Sequence, residues 1–268
     1  MIDLHSHVLP GLDDGPAELE GSLALARAAA AAGTRTLVAT PHIRDDHPFP
    51  IEAIDERVES VNTALTDAEI DLRVLAGAEV AISKVGEFDH ATLQRLCLGA
   101  GPYILVESPY TKAPDLVERV LFDLQTRGFR PILAHPERSP SFLTDLERLR
   151  RLVESKVLCS ITALSMVGAF GATPRSFALQ LFADGLVHNV ASDAHDPYRR
   201  PPGLRAGFER LDADLPGLAE QSDWFTREAP RAIVAGEDLP PAPSPPRLGS
   251  RWRRRLSLRR LGTAVRGE

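Results

Sequence analysis

Two cysteines, Cys97 and Cys159, are all that 268 residues contain. So few exclude a disulfide-built scaffold and fit a reducing, cytoplasmic compartment. Tyr103 and Ser165 stand six residues beyond them. The chemistry in which a cysteine nucleophile shares a phosphate-cradling loop with an arginine six positions on is therefore excluded. Lysine is scarce as well: Lys84, Lys112 and Lys156 are the three present, and none ends a β-type run. No apolar run approaches the roughly 18 residues needed to span a bilayer. The opening Met1-Ile2-Asp3-Leu4-His5 has neither the basic nor the apolar stretch of a secretory signal.

What is present is an ordinary globular composition, 43% hydrophobic and 25% charged, at a length that buries a full core. The formal net charge of −6 hides an uneven distribution. Residues 247–268 hold eight arginines and one glutamate, a net of +7, which leaves −13 on the first 246 residues. An acidic body argues against a broad nucleic-acid groove, and no nucleic-acid partner is expected.

Short β-rich runs alternate with longer helical patterns. Runs at 2–4, 35–39, 72–76, 103–106, 131–134, 157–161 and 187–191 are mostly apolar and not strictly alternating, as buried parallel strands are. Helical patterns occupy 17–32, 51–66, 114–127, 142–155 and 173–184, with Gly33, Gly128 and Gly185 placed to stop three of them. Seven strand–helix alternations without a composition break before residue 238 predict an α/β fold, a single distorted (β/α)7 TIM-like barrel over 1–238. An open doubly wound sheet is the alternative fold, but it gathers its ligands at one switch point. From Leu239 to Pro246 the chain is proline-rich, which predicts an extended linker without a packed core. The arginine-rich end that follows, with Trp252, Leu256 and Leu261 interspersed, predicts a disordered or loosely attached tail, open to an anionic membrane or an acidic partner.

The strand ends carry the chemistry. The first run is followed by His5-Ser6-His7, the second by Thr40-Pro41-His42 and the third by Gly77-Ala78-Glu79. The fourth ends in Glu107, the fifth in His135-Pro136-Glu137-Arg138 and the last in Ser192-Asp193-Ala194-His195, while Asp13-Asp14-Gly15 lies in the first loop. In such a barrel these positions share one face. A lone histidine is more often structural than a ligand, and packing alone would favour apolar residues here. Carboxylates converging in one cleft repel unless cations neutralise them. Five of the eight histidines plus several carboxylates exceed the three or four ligands of one tetrahedral ion, so two or three metals are expected. Nitrogen and oxygen donors without thiolate suit Mn²⁺, Fe²⁺ or Zn²⁺. Arg138, and Arg199 or Arg200 just after His195, are cationic forks suited to a phosphoryl oxyanion.

The stretch from Met1 to Pro16, with Ala39-Thr40-Pro41-His42, Gly77-Ala78-Glu79, Ile104-Leu105-Val106-Glu107, Ala134-His135-Pro136-Glu137-Arg138 and Ala191-Ser192-Asp193-Ala194-His195, resembles the PHP (polymerase and histidinol phosphatase) superfamily. Within it, the chain is similar over residues 1–210 to the bacterial tyrosine-protein phosphatases encoded with capsule and exopolysaccharide genes. The resemblance implies up to three Mn²⁺ ions: one held by His5, His7, Glu79 and Asp193, one by Glu79, Glu107 and His135, and one by Asp14, His42 and His195. It implies that Arg138 with Arg199 or Arg200 holds the phosphate, and that a metal-bridging hydroxide attacks directly without a phosphoenzyme. It also implies a phosphotyrosine substrate on the tail of a membrane-bound capsule-assembly kinase. Two positions depart from the family pattern: Ile43 stands where a second histidine often follows, with His47 only later, and Ser108 alters a cleft wall.

Three other readings compete. Another PHP-type phosphoesterase would act on a small phosphate ester. A metal-dependent amidohydrolase would bridge its metals through a modified lysine, for which no strand end supplies a residue. A non-catalytic adaptor would bind through the basic tail.

Overall fold

The computed structural model describes residues 1–99 and 101–249; the arginine-rich stretch with Trp252, Leu256 and Leu261 lies outside the described residues. Nine strand segments are present among the described residues: β1 (Ile2–Ser6), β2 (Thr36–Ala39), β3 (His42–Ile43), β4 (Arg73–Leu75), β5 (Glu79–Ala81), β6 (Tyr103–Glu107), β7 (Arg130–Ala134), β8 (Leu158–Thr162) and β9 (Asn189–Ala191). All pair in parallel, in the orders β1-β2-β4 and β3-β5-β6-β7-β8-β9. β2 and β3 are halves of one path interrupted at Thr40-Pro41, and β4 and β5 are halves of another interrupted at Ala76-Gly77-Ala78. The nine segments therefore make seven barrel strands, as the alternation predicts. The two interruptions sit side by side. Pro41 cannot donate to a ladder. A Cβ on Gly77 would come within 2.9 Å of both Leu98 Cδ2 and Val38 Cγ1, so only glycine lets the strands press together there.

The ring closes between the first strand and the last. Ser6 bridges Ala194, the Asp193 N–H donates to His5 O at 2.9 Å, and the His7 N–H donates to Ala194 O at 2.8 Å. Inside the ring Leu4, Val38, Leu105, Ile132 and Leu158 form a small apolar core, completed from below by Ile233 of the helix Ala229–Ala235. The larger core lies between the strands and the outer helices. Among these, Leu19–Ala31, Glu52–Asp67, Pro114–Thr126 and Ala172–Ala183 match the predicted helices within about two residues. The pattern over 142–155 is instead two helices, Pro140–Leu143 and Leu146–Glu154. They divide where Asp145 Oδ1 accepts the Arg148 N–H at 3.0 Å and caps a fresh start.

The proline-rich segment forms no strand or helix, yet it lies on the body. Gln221 Nε2 donates to Ser244 O, the Gly249 N–H donates to Asp214 O, Pro246 is buried, and Leu239 and Leu248 pack against the main core. Up to Gly249 the linker is thus attached more closely than its composition suggests.

His188, at the foot of β9, has its Nδ1 bonded to the Cys159 N–H at 3.0 Å. Burial pushes its pKa down from the ordinary 6.5 to about 4. A neutral histidine of this kind contributes stability that is complete above pH 6.5 and is lost as the pH falls from 6.5 towards 4. The shift corresponds to up to about 3 kcal/mol. We expect His188→Gln to flatten the stability profile across that window, read by denaturant unfolding at stepped pH. A variant that loses stability in parallel with the native chain would contradict the assignment.

Candidate metal centre

The C-terminal ends of six barrel strands deliver their polar side chains to one buried cluster. β1 carries His5, with His7 just beyond it, and the strand's register shifts between Asp3 and Ser6. An irregularity of this sort re-aims side chains. The His5 and His7 Nε2 atoms end 3.2 Å apart. Glu79, fully buried on β5, sits among the imidazoles. Its Oε2 lies 2.8 Å from His42 Nδ1, 3.3 Å from His5 Nε2 and 3.6 Å from His7 Nε2, while its Oε1 lies 2.8 Å from His135 Nε2. Asp14, the half-exposed member, places Oδ1 3.1 Å from His195 Nε2 and 3.6 Å from His42 Nε2.

Four sets of side chains bring ligand atoms within 4.8 Å of one another: His7-Asp14-His42-His195, His5-His7-Asp193, His5-Glu79-His135 and His42-Glu79-Glu107. All nine residues expected to hold metal are in these sets. The grouping differs in detail from the expected one, because His5 also reaches the Glu79-His135 set and Glu107 faces His42. The donors fit divalent cations. Glu107 Oε1 is buried without a hydrogen bond, and Glu79 Oε2 and His42 Nδ1 have only ion-pair contacts, with each other at 2.8 Å, although unsatisfied buried polar atoms are costly.

The electrostatics agree. Burial and the neighbouring Glu79 raise the Glu107 carboxyl to about 7. Burial opposes charge on Glu79 too, but His5, His135 and His42 hold it well below the carboxylate range. Burial disfavours a charged His7, yet Asp13, Asp193 and Glu79 together raise it to about 10. His135 moves the other way, to about 4, through burial and the nearby Arg138.

Two arginines border the cluster. Arg138 Nη2 lies 2.8 Å and Arg200 Nη2 lies 2.6 Å from the same oxygen, Asp193 Oδ2, while Asp193 Oδ1 faces His5 and His7 at 3.5 and 3.4 Å. Of the two arginines following His195, Arg200 reaches the site, and its Nη1 is also 2.8 Å from His195 Nε2. Arg199 is exposed; its backbone N–H is held by Asp196 Oδ1, which shapes the turn that sends Arg200 back.

Several contributors were not identifiable from sequence. Asp13 Oδ2 lies 2.6 Å from His7 Nδ1, which orients that ring, and accepts the His42 backbone N–H at 3.0 Å, which ties the His42 segment to the same loop. The signal was the Asp13-Asp14-Gly15 turn, where Asp13 Oδ1 accepts the Gly15 N–H, but spacing alone could not say which aspartate binds. His47 stacks on His42 with ring centroids 5.6 Å apart, despite its offset in sequence. Tyr110, 55% exposed, stacks on His135 at 6.3 Å. Beside it a cleft of about 320 Å³ is lined by Arg44, Ala81, Glu107, Pro109 and Tyr110, at the wall where Ser108 departs from the family pattern.

Residues 1–225 match the family described as capsular polysaccharide synthesis, CpsB/CapC. The tyrosine-protein phosphatase YwqE of Bacillus subtilis is 39% identical over 197 residues, covering 73% of this chain and 78% of YwqE. The crystal structures of YwqE and of CpsB from Streptococcus pneumoniae, described as metal-dependent tyrosine phosphatases, include a chain that superposes with a TM-score of 0.82. That chain is 33% identical, with 93% of this chain and 100% of its own length covered. A lactonase from Listeria monocytogenes, 11% identical with a TM-score of 0.50 over 88% of this chain and 92% of its own, shares the barrel fold alone.

Proposed function

The chain belongs to the capsular polysaccharide synthesis CpsB/CapC family, and from that premise we propose that it is a metal-dependent protein-tyrosine phosphatase. The observation that carries this reading is a cluster of buried carboxylates and imidazoles in four ligand sets, adjoining two arginines that converge on Asp193 Oδ2. Up to three Mn²⁺ ions are proposed, with Fe²⁺ or Zn²⁺ as alternatives, held by His5, His7, Asp14, His42, Glu79, Glu107, His135, Asp193 and His195. Bound divalent cations would supply a water-derived nucleophile at neutral pH and offset charge on the phosphoryl oxygens.

The chain's own residues do the rest. Arg138 and Arg200 offer guanidinium N–H groups to the phosphoryl oxygens and set the ester in line for attack. Asp193 holds both arginines at that position before substrate arrives. Asp13 fixes the His7 ring by accepting from Nδ1, which leaves Nε2 facing the cluster. No side chain is placed to become phosphorylated as a thiol: Cys97 and Cys159 are buried, and burial pushes the Cys97 thiol up to about 12. The modified-lysine bridge of an amidohydrolase has no counterpart, since Lys84 is paired with Asp45 and Glu87 outside the four ligand sets.

The substrate we propose is phosphotyrosine on the tail of a membrane-bound capsule-assembly kinase, met in the cytoplasm, with the arginines of 247–268 suited by their charge to an anionic surface. The test is turnover by metal-depleted protein titrated with Mn²⁺ against a phosphotyrosyl peptide, phosphoserine and histidinol phosphate. We expect activity to rise from near zero with metal, to favour the tyrosyl peptide, and to disappear with chelator. Equal activity with and without metal would refute the mechanism, and preference for histidinol phosphate would refute the substrate.

A further inference from the structure

The sixth barrel strand, β8, delivers no side chain to the ligand sets or to the arginine pair. It and the short helix after it, Ala163–Val167, instead meet Glu137. This carboxylate is fully buried. Its Oε1 accepts the Thr162 N–H at 3.1 Å and the Ser165 hydroxyl at 2.6 Å. Glu137 lies in a tight turn, closed by the Arg138 N–H on His135 O and the Ser139 N–H on Pro136 O. The turn is entered through His135 at φ +34, a left-handed conformation that a non-glycine residue adopts only when its surroundings enforce it. Consecutive side chains leave this turn in different directions. Glu137 goes to β8, and Arg138 goes to Asp193 Oδ2. The segment after the short helix also meets the guanidinium, because Phe170 has its ring centroid 4.7 Å from the Arg138 guanidinium carbon.

We propose that Glu137 is a positioning residue for phosphate capture. By tying the 135–138 turn to Thr162 and Ser165, it aims Arg138 at the phosphoryl group, which gives the sixth strand its part in the site. The inference rests on the reading of Arg138 as a phosphate-holding side chain. A carboxylate suits the task because one oxygen accepts from both donors, and glutamine retains that oxygen while alanine does not.

The test uses the full-length, Mn²⁺-loaded protein and measures inorganic phosphate binding by calorimetry, with KM, kcat and metal content alongside. Glu137→Ala is expected to weaken phosphate binding and raise KM by about tenfold, the effect of losing two buried hydrogen bonds, with metal content unchanged. Glu137→Gln is expected to stay within about twofold of the native protein. In an Arg138→Ala background, Glu137→Ala should weaken phosphate binding no further, because the side chain it aims is gone. Ser165→Ala, a milder change that leaves the carboxylate, should give a several-fold loss and serves if Glu137→Ala does not fold. Unchanged phosphate affinity in Glu137→Ala or Ser165→Ala, or a full Glu137→Ala effect without Arg138, overturns the proposal. If Arg138→Ala itself leaves phosphate binding intact, the underlying reading fails instead, and the two failures are distinct.

Discussion

Glu79→Gln is expected to lower turnover by about 10³-fold or more, the several kcal/mol that a bound metal contributes to the transition state. The substitution keeps the shape of the side chain and one of its oxygens, so it isolates the negative charge. Glu79 lies within 3.6 Å of His5, His7, His42 and His135, and no other carboxylate of the cluster approaches as many imidazoles. It belongs to two of the four ligand sets. Loss of its charge should therefore reduce bound metal as well as rate. Two measurements separate these effects. Metal content should fall, and the rise in melting temperature on adding Mn²⁺ should shrink, since ligand stabilisation follows affinity. A variant that keeps its metal and its metal-induced stabilisation would show that Glu79 is not the shared ligand.

The second large effect distinguishes neighbours. Arg200→Ala should cost on the order of 10²-fold in kcat/KM for a phosphotyrosyl peptide, comparable with losing one preorganised donor to a developing oxyanion. Arg199→Ala should stay within about twofold, as an exposed side chain away from the cluster does. The contrast follows from geometry: Arg200 touches Asp193 and His195, whereas Arg199 touches neither. Equal losses in the two variants would mean that the turn held by Asp196, rather than the Arg200 guanidinium, matters.

Much of this was legible before any coordinates. Seven apolar runs in phase with helical patterns predicted a closed barrel, and the ring closes at Ser6 and Ala194. Every expected metal-holding residue lies in the cluster because period and phase place strand ends on one face, whatever the distance along the chain. What could not be read depended on contacts between distant segments. The breaks at Pro41 and Gly77 lie side by side, where the missing side chain of Gly77 lets Val38 and Ala39 of the neighbouring strand come close. The helices Arg205–Asp212 and Ala229–Ala235 are short and held by packing rather than by propensity. The sharing of Asp193 Oδ2 by two arginines depends on a turn that Asp196 organises, which spacing alone leaves undecided between Arg199 and Arg200.

The seam between the first and last strands has a consequence for how the protein comes into being. His5 and His7 leave the ribosome almost two hundred residues before Asp193 and His195. Their side chains meet only when β9 settles beside β1. A growing chain therefore gathers seven of the nine expected metal-holding residues first and gains Asp193 and His195 in the step that completes the ring. Contacts so distant in sequence form slowly. Metal capture by the His5-His7-Asp193 set would then mark the moment of ring closure, and the enzyme would become active only when the molecule is whole.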